Sequence, residues 1–340
     1  MNQSAQLSVL SAGPLVTFQD GGRLGSLRFG VPASGPMDRL AHAAANSAIG
    51  NDRQATTIEV SRGGIDLDCI TGSITLGIAG GGCVVNHRGR IESGWTVITM
   101  RPGERVSVRA GEWGSWSYVA FAGAPVVNRW LDHAATHSMS GLGGGALMVG
   151  DKIDIEAARA APVRDGEIPI PDFARSRGQV RVVMGPQDHH FEHDAIVAFC
   201  ESPFFVTDAF DRMGVRLAGA PLPLRQALSV PSEPIVRGSI QVSGDGVATV
   251  LTADHQTTGG YPKIATVVSA DLDAFAQLRT GDFIEFDPVE APEAVGIARH
   301  RAAQVEKYLG IVASEGRTMT HRLRAENLIS GAVANHDPLT

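Results

Sequence analysis

Along most of the chain, apolar and polar residues alternate in short runs broken by glycine, the pattern of half-buried strands joined by tight turns. Ile65 to Ile70 and Ser73 to Ala79 are two such runs, and the intervening Thr71-Gly72 predicts a hairpin. Trp95 to Met100, Arg105 to Val108 and Trp116 to Phe121 continue the series, with Pro102-Gly103 and the segment Gly111 to Gly114 as punctuation. A glycine-acid pair opens an alternating run at Gly103-Glu104, Gly150-Asp151 and Gly281-Asp282. Glycine accepts the positive φ of such turns, and the alternation that follows lays one row of side chains inward, as in a barrel or sandwich wall. Its presence in both halves points to two related β-domains.

Helical spacing is rarer. Pro36 to Ile49 has a proline near its start, Asp38 in the first turn and Gly50-Asn51 as a stop, so it reads as a capped helix. Gln187 to Phe199 and Asp271 to Leu278 are further candidates, and Ala291 to Ile311 has the composition of a long helix ending the second β-domain. The polar tail beyond Gly316 is free to wrap a partner. Between Ala160 and Arg177 the chain turns proline-rich and charged, which is how a linker looks. The expected organisation is therefore an N-terminal β-barrel domain over 1–172, a second over 173–290, and a helix with tail over 291–340.

Composition narrows the function classes. Of 340 residues 43% are hydrophobic and 19% charged, and the net charge of -7 argues against a polyanion partner, so no nucleic acid is expected. No apolar run is long enough to span a membrane and no secretory start is visible, so the expected location is cytoplasmic. Cys69, Cys83 and Cys200 are too few and too scattered for a disulfide framework and read as free thiols. There is no P-loop, no Gly-x-Ser-x-Gly elbow, and Gly141-Leu-Gly143-Gly144-Gly145 leads into a strand turn rather than a dinucleotide-binding helix. His189 and His193 stand four apart on a predicted helix, but a solvated polar face explains them better than a metal, and no metal site is expected.

Three segments carry a family resemblance. The first runs Thr17-Phe18-Gln19-Asp20-Gly21-Gly22-Arg23 through Gly35-Pro36-Met37-Asp38 to Gly50-Asn51. The second is Val183-Met184-Gly185-Pro186-Gln187-Asp188 with Asp211-Arg212-Met213-Gly214. The third is Gly238-Ser239-Ile240-Gln241-Val242 with the run from Asp254 to Lys263. In order and interval they resemble the biotin-dependent carboxyltransferase family, also called allophanate hydrolase subunit 2, over about residues 7 to 287. Ala124 to Ala146 departs from the family's glycine-rich pattern and lacks its arginine.

The resemblance implies a mainly β protein of two cyclophilin-like β-barrel domains with a few short helices and a C-terminal helix. It implies a subunit of an ATP-dependent amidohydrolase of 5-oxoprolinase type, opening 5-oxoproline or a related lactam, with ATP and Mg present in the complex. The implied partners are an allophanate hydrolase subunit 1-like protein, akin to the B component of 5-oxoprolinase, and a LamB-type third subunit. Two alternatives stand beside it: the carboxyltransferase component of a urea- or allophanate-processing enzyme, which needs biotin, and a non-catalytic antagonist that binds an inhibitor subunit. No carboxylase length and no Met-Lys-Met biotinylation site is present.

Such reactions gather negative charge on an amide or urea, and donors fixed beforehand stabilise it best. Arg23, Arg212 and Lys263 are the candidate cations, each beside glycines within a matched segment; pairing with Asp20, Asp211 or Asp254 is the structural alternative. Asp20 and Asp254, with Lys263, are the candidate catalytic groups. Gln19, Arg23, Asp38, Arg212, Gln241, Gln256, Thr257, Thr258 and Tyr261 are the candidate substrate-binding residues, although Asp38 also suits a helix N-terminus. The loop from 254 to 263, rich in small polar groups, is the expected pocket wall.

Overall fold

The computed structural model describes residues 4–92, 94–185, 187–225 and 230–315; Pro186 and the tail beyond Gly316 lie outside them. The first half carries β1 (Ala5–Ala12), β2 (Thr17–Gln19), helix α1 (Arg39–Ala48), β3 (Thr57–Val60), β4 (Ile65–Thr71), β5 (Ile74–Ala79), β6 (Val84–His87) and β7 (Arg90–Glu92). It continues with β8 (Thr96–Met100), β9 (Arg105–Arg109), β10 (Ser117–Phe121), β11 (Ala124–Pro125), β12 (Lys152–Glu156) and β13 (Gly166–Glu167). The second half carries β14 (Gln179–Met184), α2 (His193–Glu201), β15 (Phe204–Phe210), β16 (Gly214–Ala218), β17 (Glu233–Pro234), β18 (Ser239–Val242), β19 (Ala248–Leu251), β20 (Thr258–Gly259), β21 (Lys263–Val267), α3 (Leu272–Ala276), β22 (Phe283–Pro288) and α4 (Ala291–Glu315).

In the first half, a seven-stranded sheet (β11-β12-β1-β4-β9-β6-β7) faces a six-stranded one (β13-β8-β5-β10-β3-β2). Leu7, Leu67 and Val106 from one and Ile58, Leu76 and Val119 from the other fill the space between them. The first sheet alternates, as in Ile65–Thr71, but Ile74–Ala79 and Ser117–Phe121 are buried at every position. The reason is α1, whose Ala41, Ala44, Ala45 and Ala48 cover the outer face of the second sheet together with Leu309 and Val312 of α4. Asp38 caps α1 by accepting from Ala41 N at 2.9 Å. The small residues on α1 permit a close approach, and a Cβ on Gly77 would sit 2.1 Å from Ala45 O.

The second half closes into a seven-stranded barrel, β14-β21-β18-β19-β16-β15-β22, sealed by the parallel pair β14–β22. Phe199 of α2 stacks on Phe286 at 4.5 Å, anchoring that helix to the barrel core. Three expectations change. The first half is a pair of packed sheets rather than a second closed barrel: its edges end in β11 and β13, two residues each, and β11 contains a proline that cannot donate. Ile65–Thr71 and Ile74–Ala79 are not a hairpin but lie in opposite sheets, with Gly72 at φ 72 turning beside Ser4 and Ala5. The helix expected over Gln187 to Phe199 is broken at Phe191, whose extended backbone (φ -101, ψ 149) drops a fully buried ring into the barrel core. That break puts His189 and His193 on different elements.

All three glycine-acid turns share one geometry. Gly103, Gly150 and Gly281 have φ of 82, 95 and 90, and the acid side chain accepts from the backbone N three residues earlier at 3.0, 2.8 and 2.8 Å. Among the described residues no helix is long and apolar enough to cross a membrane. Cys69, Cys83 and Cys200 are free.

Candidate functional site

The matched segments converge where the barrel meets the first half. Arg212, in the turn before β16, is fully buried: its Nε and Nη2 donate to Asp254 at 2.9 and 3.0 Å, its Nη2 to Gly35 O at 2.7 Å, and its Nη1 to Glu59 of β3. Burial opposes charge on Arg212, but Asp254 and Glu59 outweigh it and hold its pKa above the usual value. Asp254 is likewise buried, yet Arg212 keeps its carboxyl below the ordinary range. Glu59 also accepts from Tyr118 Oη at 2.8 Å and Met37 N at 2.8 Å, and Asp38 N donates to Tyr118 Oη at 2.8 Å. Gln277 of the barrel half closes the chain of bonds by donating to Asp38 at 2.7 Å.

The loop 126–146 packs against this network. Asp20 accepts from Ala134 N at 2.7 Å and Gly22 N at 3.0 Å, Arg23 Nη1 donates to Ala135 O at 2.6 Å, and Gln19 Nε2 donates to Thr136 O at 3.0 Å. Ser138 N donates to Asp254 at 2.9 Å. So the segment 134–138 packs along one side of the candidate site. Arg23, 1% exposed, lies 4.6 Å over the Trp130 ring, and its Nε and Nη2 have no hydrogen-bond partner among the described residues. Gln19 Oε1 is buried and likewise without a partner among the described residues. Burial pulls the Arg23 pKa down, against Asp20 and Asp254. The chain enters this region through strained backbone: Ser34 is a buried non-glycine at φ 53, between segments where Gly22 and Gly35 approach within touching distance.

Asp20, Arg23, Arg212 and Asp254 are thus brought together, with Gln19 beside Arg23 and Asp38 one bond further along. Asp38 serves as the helix cap and, buried, has its pKa raised to about 7 by burial and then by Asp273. Gln241, Gln256, Tyr261 and Lys263 form a separate polar patch. Gln256 Nε2 donates to Gln241 Oε1 at 3.1 Å, Gln241 Nε2 to Tyr261 O at 3.4 Å, and Lys263 Nζ to Glu233 at 3.0 Å, with Gln187 bridging Glu233 and Lys263 N. Lys263 therefore pairs with Glu233 rather than with an aspartate. The 254–263 loop divides: Asp254 and His255 are buried, while Thr258, Gly260 and Tyr261 are exposed and Thr257 half-buried, with β20 pairing to β17. Three open cavities bounded by described residues, of about 610, 620 and 500 Å3, are lined elsewhere. Among the described residues no group of three or more His, Cys, Asp or Glu is placed to hold a metal.

Glu59, Tyr118, His42 and Gln277 were not anticipated. Glu59 had a signal: a lone acid inside the apolar run Thr57–Val60 is costly unless a buried cation meets it. His42, fully buried beside Asp20, has its pKa pushed down to about 4 by burial.

A two-sheet unit is thus joined to a closed barrel through a buried Arg212-Asp254-Glu59 network. The chain belongs to the family of the carboxyltransferase domain, subdomains A and B, matched over residues 29–288. It is 31% identical over 316 residues to the 5-oxoprolinase C subunit of Haemophilus influenzae, covering 90% of this chain and 98% of that protein. The Escherichia coli 5-oxoprolinase C subunit is 30% identical over 293 residues, covering 85% of this chain and 93% of that protein. Among solved structures, TTHA0988 superposes with a TM-score of 0.74 at 31% identity, covering 83% of this chain but 55% of that one, so this chain spans about half the length of that relative.

Proposed function

We propose that the chain is a subunit of an ATP-dependent amidohydrolase of 5-oxoprolinase type, opening 5-oxoproline or a related lactam together with a partner subunit. The observation that carries this is the buried Arg23 guanidinium, two of whose nitrogens have no partner among the described residues, together with Gln19, whose Oε1 has none among them either and whose Nε2 holds the carbonyl next to the one Arg23 holds. Leaving a buried charged donor unmade costs more than about 1–3 kcal/mol, so such groups are expected to meet a ligand or water. A lactam offers the complement: its C=O accepts from Arg23 and its N–H donates to Gln19. Asp20, held by two backbone amides and 3.5 Å from His133 Nδ1, is the carboxylate proposed for proton transfer. Asp254 and Arg212 fix the wall that carries Ser138, and Lys263 with Gln241, Gln256, Thr257, Thr258 and Tyr261 forms the proposed outer rim.

The two 5-oxoprolinase relatives support this reading, with ATP and Mg supplied in the complex and a protein like the B component of 5-oxoprolinase, together with a LamB-type subunit, as partners. The carboxyltransferase description of the family supports the alternative in which a separate protein delivers carboxybiotin. The paired sheets and the barrel are proposed as two cyclophilin-like units, over 1–172 and 173–290, followed by 291–340. The test is ATP-dependent ring opening of 5-oxoproline by the chain purified with its co-encoded partner. Arg23→Ala should lower turnover about a hundredfold, the size typical of losing one preorganised donor. Unchanged turnover in that variant would remove Arg23 from the site, and partner binding without nucleotide turnover on any lactam or urea would favour the antagonist role.

A further inference from the structure

We infer that His133 is a catalytic residue of the same site, its Nδ1 held toward Asp20 and its Nε2 taking the proton from the attacking water. The inference rests on the ring-opening reading above and names the group through which Asp20 acts. A substrate has little access to Asp20 itself: its side chain is 7% exposed, and its two oxygens already accept from Gly22 N at 3.0 Å and Ala134 N at 2.7 Å. His133 is accessible. Its side chain is 37% exposed, its Nδ1 lies 3.5 Å from Asp20 Oδ1, and Nε2, the far nitrogen of the ring, has no partner among the described residues. Catalytic hydrogen bonds are often this long before substrate arrives.

A strained turn puts the imidazole there. Trp130 N donates to His133 O at 2.9 Å and His133 N to Trp130 O at 3.2 Å, which closes a two-residue turn. The residues inside it, Leu131 and Asp132, have φ of 51 and 65, a geometry for which Asn-Gly is the ordinary choice. They are the only adjacent non-glycine pair at positive φ among the described residues, and Leu131 is exposed, so burial of its side chain does not account for the conformation. Strain of this kind persists where the surroundings over-determine it, and it clusters at active sites. Here the turn sets Trp130 over Arg23 and His133 against Asp20. The next three residues then meet the site in order, Ala134 N on Asp20, Ala135 O on Arg23 and Thr136 O on Gln19. His133 therefore heads the strip that frames the proposed amide position.

The other charged or titratable groups around Asp20 are Arg23, Arg129 at 3.9 Å and His42 of α1. Arg129 Nη1 is occupied by Asp132 O at 3.0 Å, and His42 is buried, so His133 is the imidazole beside Asp20 that a small molecule can reach. In the step assigned to it, the water oxygen bonds to the lactam carbon as Nε2 takes its proton. The C–N bond then breaks with its electron pair on nitrogen, which recovers that proton from the imidazolium. Asp20's share is to hold the ring in one tautomer and to stabilise it while charged.

Ring opening by the complex, followed across pH, tests this. His133→Gln should lower kcat about a hundredfold with little change in KM, and should remove the acid-side limb that the wild-type profile shows. Its urea midpoint should stay in place, because the side chain forms no hydrogen bond among the described residues. Free imidazole should restore part of the turnover of His133→Ala and none of that of Arg23→Ala. Turnover of His133→Gln within about threefold of wild type, or a loss that keeps the acid limb or does not respond to imidazole, would overturn the inference and leave the lactam reading standing. A wild-type complex that opens no lactam would bring down that reading and this inference with it.

Discussion

Arg212 and Asp254 meet in a two-point ion pair, 2.9 Å from Nε to Oδ2 and 3.0 Å from Nη2 to Oδ1, while Asp254 N donates back to Arg212 O at 2.7 Å. Because Arg212 also reaches Glu59 and Gly35 of the first half, one side chain ties the barrel to the sheets. Arg212→Met would leave two buried carboxylates without a counter-charge, and should destabilise the protein by about 3–5 kcal/mol in urea unfolding. Arg212→Lys should recover little, since a single ammonium cannot span three acceptors. A loss under about 1 kcal/mol for Arg212→Met would contradict this account.

What was legible in the chain was local. The three glycine-acid turns and the Asp38 cap need only residues within four positions of each other, so periodicity and turn chemistry expose them. Glu59 meets Arg212 across 153 positions and Lys263 meets Glu233 across 30, and no local pattern encodes either pairing. Ile65–Thr71 and Ile74–Ala79 looked like a hairpin because the two-residue gap permits one; the choice of opposite sheets is made by β1, β9, β8 and β10. The matched segments named the residues that converge, but not the division of the 254–263 loop between a buried anchor and an exposed ribbon.

Asp38 makes stability depend on pH in an unusual direction. Its carboxyl titrates at about 7 when folded, against 3.8 for the free group. A raised folded value means the contribution is full below the unfolded pKa and is lost as pH rises through the folded one. The advantage of wild type over Asp38→Asn, read as a difference in urea midpoint, should therefore shrink between about pH 4 and 8. With Oδ1 kept on Ala41 N, the Asn turns its Nδ2 donor toward Gln277 Nε2, which adds an offset without a slope. A difference that stays flat or grows across that range would show that Asp38 is ionised throughout.

His42 works the other way. Burial lowers its pKa from 6.5 to about 4, so the folded protein keeps it neutral while the unfolded chain takes up a proton. Stability from this source is full above about pH 6.5 and falls as pH drops toward 4. His42→Gln should flatten that acid limb, and the wild-type minus variant difference isolates it from Asp38, whose slope has the opposite sign in the same window. An acid limb equally steep in both proteins would mean that other groups set it.

Gly77 tests how closely α1 must approach the six-stranded sheet. An added Cβ would meet Ala45 O at 2.1 Å and Ala45 C at 3.0 Å, both backbone atoms of the helix, with Ile49 Cγ2 at 3.2 Å beyond them. A flexible side chain could move aside, but here the whole helix has to lift, and lifting it loosens its packing with Trp95, Tyr118 and Leu309 of α4. Overpacking of a well-filled core costs about 1–3 kcal/mol, and Gly77→Ala should lie at or above the top of that range because the obstruction is backbone. The lift would also move Asp38 at the helix start, and with it the Tyr118 and Gln277 bonds that lead to Glu59 and Arg212. Gly77→Ala should therefore lower both the urea midpoint and the turnover of the proposed ring opening, whereas a change of similar size at Gly103, where an added Cβ meets nothing within 4 Å, should leave that turnover alone. Full stability in Gly77→Ala would mean that α1 can sit farther from the sheet than this packing requires.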